Sequence, residues 1–396
     1  MTLRFLTSGE SHGPALTVIV EGLPCGVPVD RAVIDGDLRR RQGGYGRGGR
    51  MKIETDTVEI TAGVRHGVTL GSPVTLVIRN RDHANWEDVM SPDPQPPEAQ
   101  ERRALRFPRP GHADLAGALK YQTSDLRNVL ERASARETTA RVAAGGLARA
   151  LLDAVGIAIR SHVLRIGRIG LDGDEVSWDG LGQVEESPVR CADQALSTAM
   201  TEEIDRAKKA GDSLGGSFEV VARGVPPGLG SFSQWDRRLD GRLAQALMSI
   251  HAVKAVAIGA GFAAGRLSGS AFHDEIVFDP ARGVHRPTNR AGGLEGGVTN
   301  GEELRVQAVV KPIPTLMTPL RSVDLQTKEP APASYERSDV CVVPAAGVVG
   351  EAMTALVLGD ALLEKLGGDS LTELLGHLKQ SRSAWHQILG TPRMGS

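Results

Sequence analysis

Residues 132–141 read Arg132-Ala133-Ser134-Ala135-Arg136-Glu137-Thr138-Thr139-Ala140-Arg141 and run into an alanine-rich stretch. Ser134 followed by Glu137 has the spacing of a capping box, in which the hydroxyl accepts the N–H three residues on and the carboxylate reaches back. Val142, Ala143, Leu147, Leu151 and Leu152 then recur at helical spacing, so a helix is expected to start at Ser134. A helix start offers unpaired N–H groups and a positive partial charge. Arg132 and Arg136 add full charges beside it, which suits an anion and phosphate best. The same residues would also serve a capped core helix with solvated arginines. Upstream, Arg109-Pro110-Gly111-His112-Ala113-Asp114 places a histidine two residues from a carboxylate that can tune it.

Composition narrows the classes. The chain has 396 residues and a formal net charge of −2, so the whole molecule is not an electrostatic binder of nucleic acid. Aromatics make up only 4% of it, which leaves few platforms for stacking bases. Glycine is plentiful, at 48 residues, and allows many turns and close backbone approaches. Cys25, Cys191 and Cys341 are odd in number and far apart, without metal-type spacing, and point to a reduced, cytoplasmic protein. The N-terminus lacks the apolar core of a signal peptide, and no uninterrupted apolar run reaches bilayer length. No membrane association is expected.

Outward from the central stretch, residues 3–6 and 15–21 read as strands around Gly9-Glu10-Ser11-His12-Gly13. Glu, Ser and His are all able to do proton or hydrogen-bond work there, although an ordinary hairpin turn has the same look. A helix over 30–41 ends in Arg39-Arg40-Arg41 and enters a glycine-rich basic loop over 42–52, with Arg47 and Arg50. Such a loop can wrap an anion with backbone N–H groups and guanidinium forks, or lie solvated. Its Gly44–Gly49 portion fits G-x-G-x-x-G, but a basic helix precedes it where the dinucleotide fingerprint needs a strand. Strands are expected over 52–62 and 73–78, a proline-rich loop over 92–97, and a strand over 157–167.

In the second half, 171–193 is turn-rich. A helix over 201–210 opens on a threonine cap and stops at Gly211. A strand is expected over 216–223, an amphipathic helix over 236–251 and a strand over 253–258. Gly259–Ala264 matches G-x-G-x-x-A after that strand, yet Gly265, Ser268 and Gly269 spoil a following helix. A glycine-dense loop over 289–301 precedes a strand over 304–310, which exits into Lys311-Pro312-Ile313-Pro314-Thr315. The apolar run over 346–366 reads as a buried helix, and 371–389 as a final helix.

Three separated blocks, Gly9-Glu10-Ser11-His12-Gly13, Arg132–Thr138 and Arg337-Ser338-Asp339-Val340-Cys341, resemble in order and separation the three signature blocks of the chorismate synthase family. The likeness covers nearly the whole chain. It implies an α+β fold, a β-α-β sandwich with helices packed between two antiparallel sheets, in one domain over 1–396 that assembles as a homotetramer. It implies conversion of 5-enolpyruvylshikimate 3-phosphate to chorismate by anti-1,4-elimination of phosphate, with reduced FMN and no net redox change. Some members reduce their flavin with NADPH, and the sequence leaves that open here.

Carried over by position, the resemblance makes His12 the proton donor to the departing phosphate. His112 would manage the protonation state of the reduced flavin, and Asp339 would help its N5 take up the ring proton. Flavin contacts would come from Arg132, Ala133, Ser134, His251, Ala252, Gly296, Lys311, Pro312, Ile313, Pro314, Thr315 and Arg337. Ser11, Arg41, Arg47 and Arg136 would contact substrate or NADP. His251 stands where the family usually carries an Asn or Gln amide. No metal site is expected. The competing readings are a nicotinamide-dependent oxidoreductase on the two G-x-G stretches, a nucleic-acid binder using the basic loop, and a metal hydrolase using His12, His112 and Asp114, for which no local ligand spacing exists.

Overall fold

The computed structural model describes residues 2–48, 55–171, 175–336 and 339–390, without the side chains of residues 99 and 100. Two antiparallel sheets frame it. Numbering only their strands, the first contains β1 (Arg4–Ser8), β2 (Ala15–Glu21), β3 (Glu59–Ala62) and β4 (Val74–Arg79), in the order β1-β2-β4-β3. The second contains β5 (Ala158–Ile166), β6 (Ile169–Gly170), β7 (Gly216–Arg223), β8 (Val253–Ile258) and β9 (Leu304–Val310), in the order β8-β9-β7-β5-β6.

The longer helices are α1 (Arg31–Gln42), α2 (Asp114–Tyr121), α3 (Arg127–Ala133), α4 (Thr138–Ala154), α5 (Gln194–Lys209), α6 (Leu239–Met248), α7 (Val343–Leu366) and α8 (Leu371–Leu389). Helix α4 packs on β2 and β4 of the first sheet, and α7 on β5 and β7 of the second. The two helices also pack on each other and on α1. One hydrophobic core therefore runs from Leu3 through the helical layer to Leu378.

Glycines explain how closely the helices approach. A Cβ on Gly145 of α4 would stand 2.3 Å from the Ala352 Cβ of α7, and one on Gly146 would stand 2.9 Å from Ile34 of α1. No real Cβ tolerates the first distance, so the Gly-Gly pair within α4 is a packing requirement that outweighs its cost to helix propensity. Helix α7 is long and apolar enough to cross a membrane by length and composition, although Glu351 and Asp360 interrupt its apolar run, and 89% of its apolar window is buried inside the protein, as expected for this stretch.

Several boundaries shift. Helix α5 begins two turns before the expected Thr201, because Asp193 rather than Thr201 caps it, accepting from Leu196 N at 2.8 Å. The strand expected over 52–62 is regular only from Glu59, and its first residues fall outside the described ones. Ser134 opens a helical turn as expected, but the box is not reciprocal. Its Oγ accepts from Arg136 N, a single 3-10 turn precedes α4, and the Glu137 carboxylate turns instead to Thr7 and Arg141. The stretch Gly259–Ala264 leads from β8 into a 3-10 turn, and a Cβ on Gly259 would meet Arg290 O at 2.2 Å. Its glycine is needed for a backbone crossing within the chain, and no long helix follows to hold a pyrophosphate.

Candidate active site

Helix α3 grips the loop between β1 and β2 from two sides. Arg132 at its end donates to Thr7 O at 2.9 Å, to Thr7 Oγ1 at 2.7 Å and to Gly9 O at 3.0 Å. Glu131, one residue earlier, has its carbonyl bound by Ser11 N at 2.9 Å, and its carboxylate takes His12 N at 2.8 Å and His12 Nδ1 at 2.8 Å. Ser11 Oγ lies 3.0 Å from Ser134 Oγ. His12 is buried and stacks on Trp86, with ring centroids 3.8 Å apart and planes 21° from parallel.

Asn80 closes the loop from below. Its Nδ2 donates to Glu10 O and Gly13 O, and its Oδ1 accepts two bonds from Arg136. Arg136 is itself buried and donates to Asp56 at 2.7 Å. Burial would raise the Glu131 carboxyl, but the hydrogen bonds and charge of His12 and then Arg127 outweigh it and hold the carboxyl low.

A cationic group lies behind this loop. The last turn of α1 carries Arg41, whose Nε donates to Thr138 Oγ1 and whose Nη2 donates to Ala135 O. Both acceptors are neutral, and its buried Nη1 has no hydrogen-bond partner. Burial lowers the Arg41 guanidinium to about 9, with like-charge repulsion from Arg47 and Arg136 acting the same way. Arg47 pairs with Asp339 at 3.0 Å, and the Gly48 amide donates to the other Asp339 oxygen at 2.5 Å. Val340 N bonds Gly46 O at 2.8 Å, so the third signature block and the basic loop are stitched together by backbone. Arg337, expected at the flavin, lies outside the described residues, as does residue 50 of the basic loop.

His112 belongs to a second buried group. Its Nδ1 lies 2.5 Å from Asp114 Oδ1 and 3.0 Å from Arg109 Nη2. One nitrogen cannot serve both, and a carboxylate oxygen at that range requires a proton on Nδ1, so the Asp114 contact is the hydrogen bond. Arg109 also donates to Asp114 through Nε and to Thr315 Oγ1 at 3.2 Å. Burial opposes ionisation of Asp114, yet the bonds from His112 and Arg109 hold its carboxyl well below the usual range. Lys311 Nζ donates to Gly111 O, and Ser213 Oγ donates to Ile313 O. Pro312 and Pro314 fill the same exit, with Pro314 Cβ close beside Gly111.

Lys311 N binds Ala252 O, and Ala252 holds a left-handed φ of 67°. That turn sets His251 in a cleft of about 380 Å³, lined also by Phe5, Leu6, Thr7, Arg132, Glu137, Arg141, Ser249 and Met353. His251 Nδ1 is buried without a partner. Burial lowers this imidazole to about 4; Arg141, Arg41 and His112 act in the same direction against Glu137. Those charges place His251 within electrostatic range of both the Arg41 and the His112 groups. Gly296, in contrast, sits in a hairpin at the start of α6, where Gly297 O accepts from Leu239 N. The ten residues of α6 put about 15 Å between that end and Ser249, so within one chain Gly296 is apart from the other expected residues.

The structure thus gathers Ser11, His12, Arg41, Arg47, Ser134, Arg136 and Asp339 around one loop, with Arg132 and Ala133 at its edge. It groups His112 with Thr315, and Lys311 with Ala252. Sequence reading missed Glu131, Trp86, Asn80, Asp56 and Arg109. Of these only Glu131 had a local signal, its spacing of four from Arg127 on one helix face; the two contact at 3.4 Å. Among the described residues no group of three His, Cys, Asp or Glu could hold a metal. What the site offers is buried positive charge, two carboxylate-bound histidines and one guanidinium without an anionic partner.

The model of the chorismate synthase family matches residues 3–363. The chorismate synthase of Moorella thermoacetica is 60% identical over 355 residues, covering 90% of this chain and 92% of that protein. That of Symbiobacterium thermophilum is 59% identical over 362 residues, covering 89% and 92%. A crystal structure of chorismate synthase superposes with a TM-score of 0.76 at 43% identity, covering 96% of this chain and 97% of the other.

Proposed function

Because the chain belongs to the chorismate synthase family of lyases, we propose that it eliminates phosphate from 5-enolpyruvylshikimate 3-phosphate in the anti-1,4 sense to give chorismate, with reduced FMN as cofactor. The observation that carries this reading is the pairing of His12, held by Glu131, with the group of Arg41, Arg47 and Arg136 behind it. A departing phosphate needs a proton donor and fixed positive charge, and this loop supplies both. His12 gives a proton to the leaving oxygen. Arg41, whose guanidinium lacks an anion in the protein, binds the phosphate or carboxylate of the substrate, assisted by Arg47 and Arg136. Asp339, oriented by Arg47 and the Gly48 amide, assists removal of the ring proton.

The residues present fit an anionic flavin. Arg132, Ala133, Ser134, His251, Ala252 and the Lys311–Thr315 exit would hold it, and the orphaned His251 Nδ1 is a buried polar atom in want of a partner. Bound reduced FMN supplies an electron-rich ring that eases departure of phosphate without net redox change. His112, its Nδ1 fixed by Asp114, holds a proton at that site.

The two sheets and the helices between them are read as a β-α-β sandwich in one domain, cytoplasmic and acting on a small molecule. Exposed Leu6, Phe232 and Trp235, at 73%, 80% and 82%, favour assembly. We propose a homotetramer, which light scattering would report as four times the 41.9 kDa chain.

Anaerobic turnover, following phosphate and chorismate, tests the activity. Product is expected with chemically reduced FMN and not with oxidised FMN. Adding NADPH to oxidised FMN tests whether the chain reduces its own flavin. Absence of product from folded protein with reduced FMN would refute the proposal.

A further inference from the structure

His12 is clamped at three points. Glu131 takes both its backbone N–H, at 2.8 Å, and its ring Nδ1, at 2.8 and 3.0 Å to the two carboxylate oxygens. Trp86 lies flat against the ring. His83 Nδ1 lies 2.9 Å from the His12 carbonyl oxygen. The Glu131 side chain is only 3% exposed. Its other donor is Arg127, which reaches it at 3.4 Å and is anchored on Glu336 at 3.0 Å.

This arrangement decides the tautomer. A carboxylate offers only acceptors, so an unprotonated Nδ1 at 2.8 Å would set two lone pairs against each other. Hydrogen bonds to its ionised form keep Glu131 deprotonated, and the shared proton must therefore sit on Nδ1. The Nε2 position is left as the one ring nitrogen able to exchange a proton with a ligand.

We infer that Glu131 is a positioning residue for His12, fixing the proton on Nδ1 and the plane of the ring so that proton transfer runs through Nε2. The inference rests on the reading of His12 as donor to the leaving phosphate. In that step the Nε2–H bond breaks and a phosphate O–H bond forms as the C–O bond cleaves. The imidazole that remains is neutral and already in the tautomer that Glu131 binds, so no second proton has to move.

A double-mutant cycle between Glu131 and His12 tests this, with anaerobic turnover at reduced FMN and thermal unfolding read for each protein. Glu131→Gln keeps the shape and removes the charge. It is expected to lower kcat about 10²-fold while KM stays within about twofold. If Glu131 acts through His12, Glu131→Gln added to His12→Ala costs nothing more. Glu131→Asp keeps the charge on a shorter stem and should retain more kcat than Glu131→Gln. In Glu131→Ala, formate but not formamide should restore part of the rate.

Full kcat in Glu131→Gln, or losses that multiply in the double mutant, would overturn the inference. Should Glu131→Gln not fold, the same cycle run with Glu131→Asp reads the coupling. Full activity in His12→Ala would overturn both this inference and the proton-donor reading beneath it. A crippled His12→Ala beside an unimpaired Glu131→Gln would remove this inference alone.

Discussion

Glu351→Gln should destabilise the protein by about 3 kcal/mol. Glu351 lies in α7 and is fully buried. It accepts from Arg40 at 2.7 and 2.9 Å, from Arg149 at 2.6 Å, from Arg190 at 3.0 Å and from Ser161 Oγ at 2.6 Å. Asp37 and Glu185 complete the cluster against the same arginines. Three carboxylates thus meet three guanidiniums, and the substitution leaves one positive charge uncompensated. Breaking a buried pair on one side costs roughly 3–5 kcal/mol. The lower end applies because Glu185 is about half exposed and Asp153 is within electrostatic range of Arg149.

Unfolding entropy of roughly 2.1 cal/mol/K per residue over 396 residues converts this to a fall in Tm of about 4 °C. A pH series adds a sign. Burial alone would raise the Glu351 carboxyl, but Arg40, Arg149 and Arg190 hold it well below the ordinary range. A depressed folded value means that its stabilisation is present above the unfolded carboxyl value of about 4.3 and is lost as pH falls below it. Differential scanning calorimetry of both proteins between about pH 7 and pH 3 should therefore show the gap narrow only at the acid end. A Tm difference below about 1 °C at neutral pH, where about 4 °C is expected, would refute the charge-balance reasoning. So would a gap that stays undiminished in acid.

Two further expectations follow from the site. Arg41→Met removes a guanidinium disfavoured by burial and by Arg47 and Arg136; it should leave Tm unchanged or higher while raising KM for 5-enolpyruvylshikimate 3-phosphate at least tenfold, about 1.4 kcal/mol, and a lower Tm with unchanged KM would contradict it. His251 has a folded pKa lowered to about 4, so the folded state resists its protonation and its contribution falls as pH drops from about 6.5 to 4; His251→Asn should flatten Tm against pH in that window and keep flavin binding, read by fluorescence quenching.

Much of the architecture was legible. Strands were expected over 15–21, 216–223, 253–258 and 304–310, and each is a strand with those bounds. The helix over 371–389 is likewise as expected and carries the reciprocal capping box that Ser134 lacks. Local signals failed where tertiary partners outbid them. Glu137 has the box spacing, but Thr7 across the sheet and Arg141 one turn on are better partners than the backbone N–H of Ser134. Thr201 looks like a cap, yet it lies mid-helix with its hydroxyl on Ser197 O.

In the site, residues inside the signature blocks could be named, whereas their supports could not. Trp86, Asn80 and Asp56 meet His12 and Arg136 from distant loops, and nothing in the spacing of one sequence announces a contact of that kind. Arg109 stands close to His112 and Asp114 in the sequence, but nothing local marks it as buried. Its burial follows from Asp114 and Thr315.

Arg40 and Arg41 are neighbours on α1 and differ in how their buried charge is met. Arg40 faces Glu351, Asp37 and Glu185, and against the cost of burial Glu351 and then Glu185 raise its guanidinium pKa well above its ordinary value. Arg41 points the other way, receives only the neutral Thr138 hydroxyl and Ala135 carbonyl, and is pushed down to about 9. One residue of helical rotation, about 100°, carries the chain from a compensated cluster to a guanidinium whose hydrogen-bond acceptors are both neutral. The compensated side fixes the end of α1 against α7, and that anchorage is what lets the other side hold like charges close together. Binding energy released when an anion enters is then available for orientation at the reacting bond, because the cost of assembling the cations has been met by folding. A site built this way should lose affinity when Arg41 is neutralised, and should lose rigidity when Glu351 is.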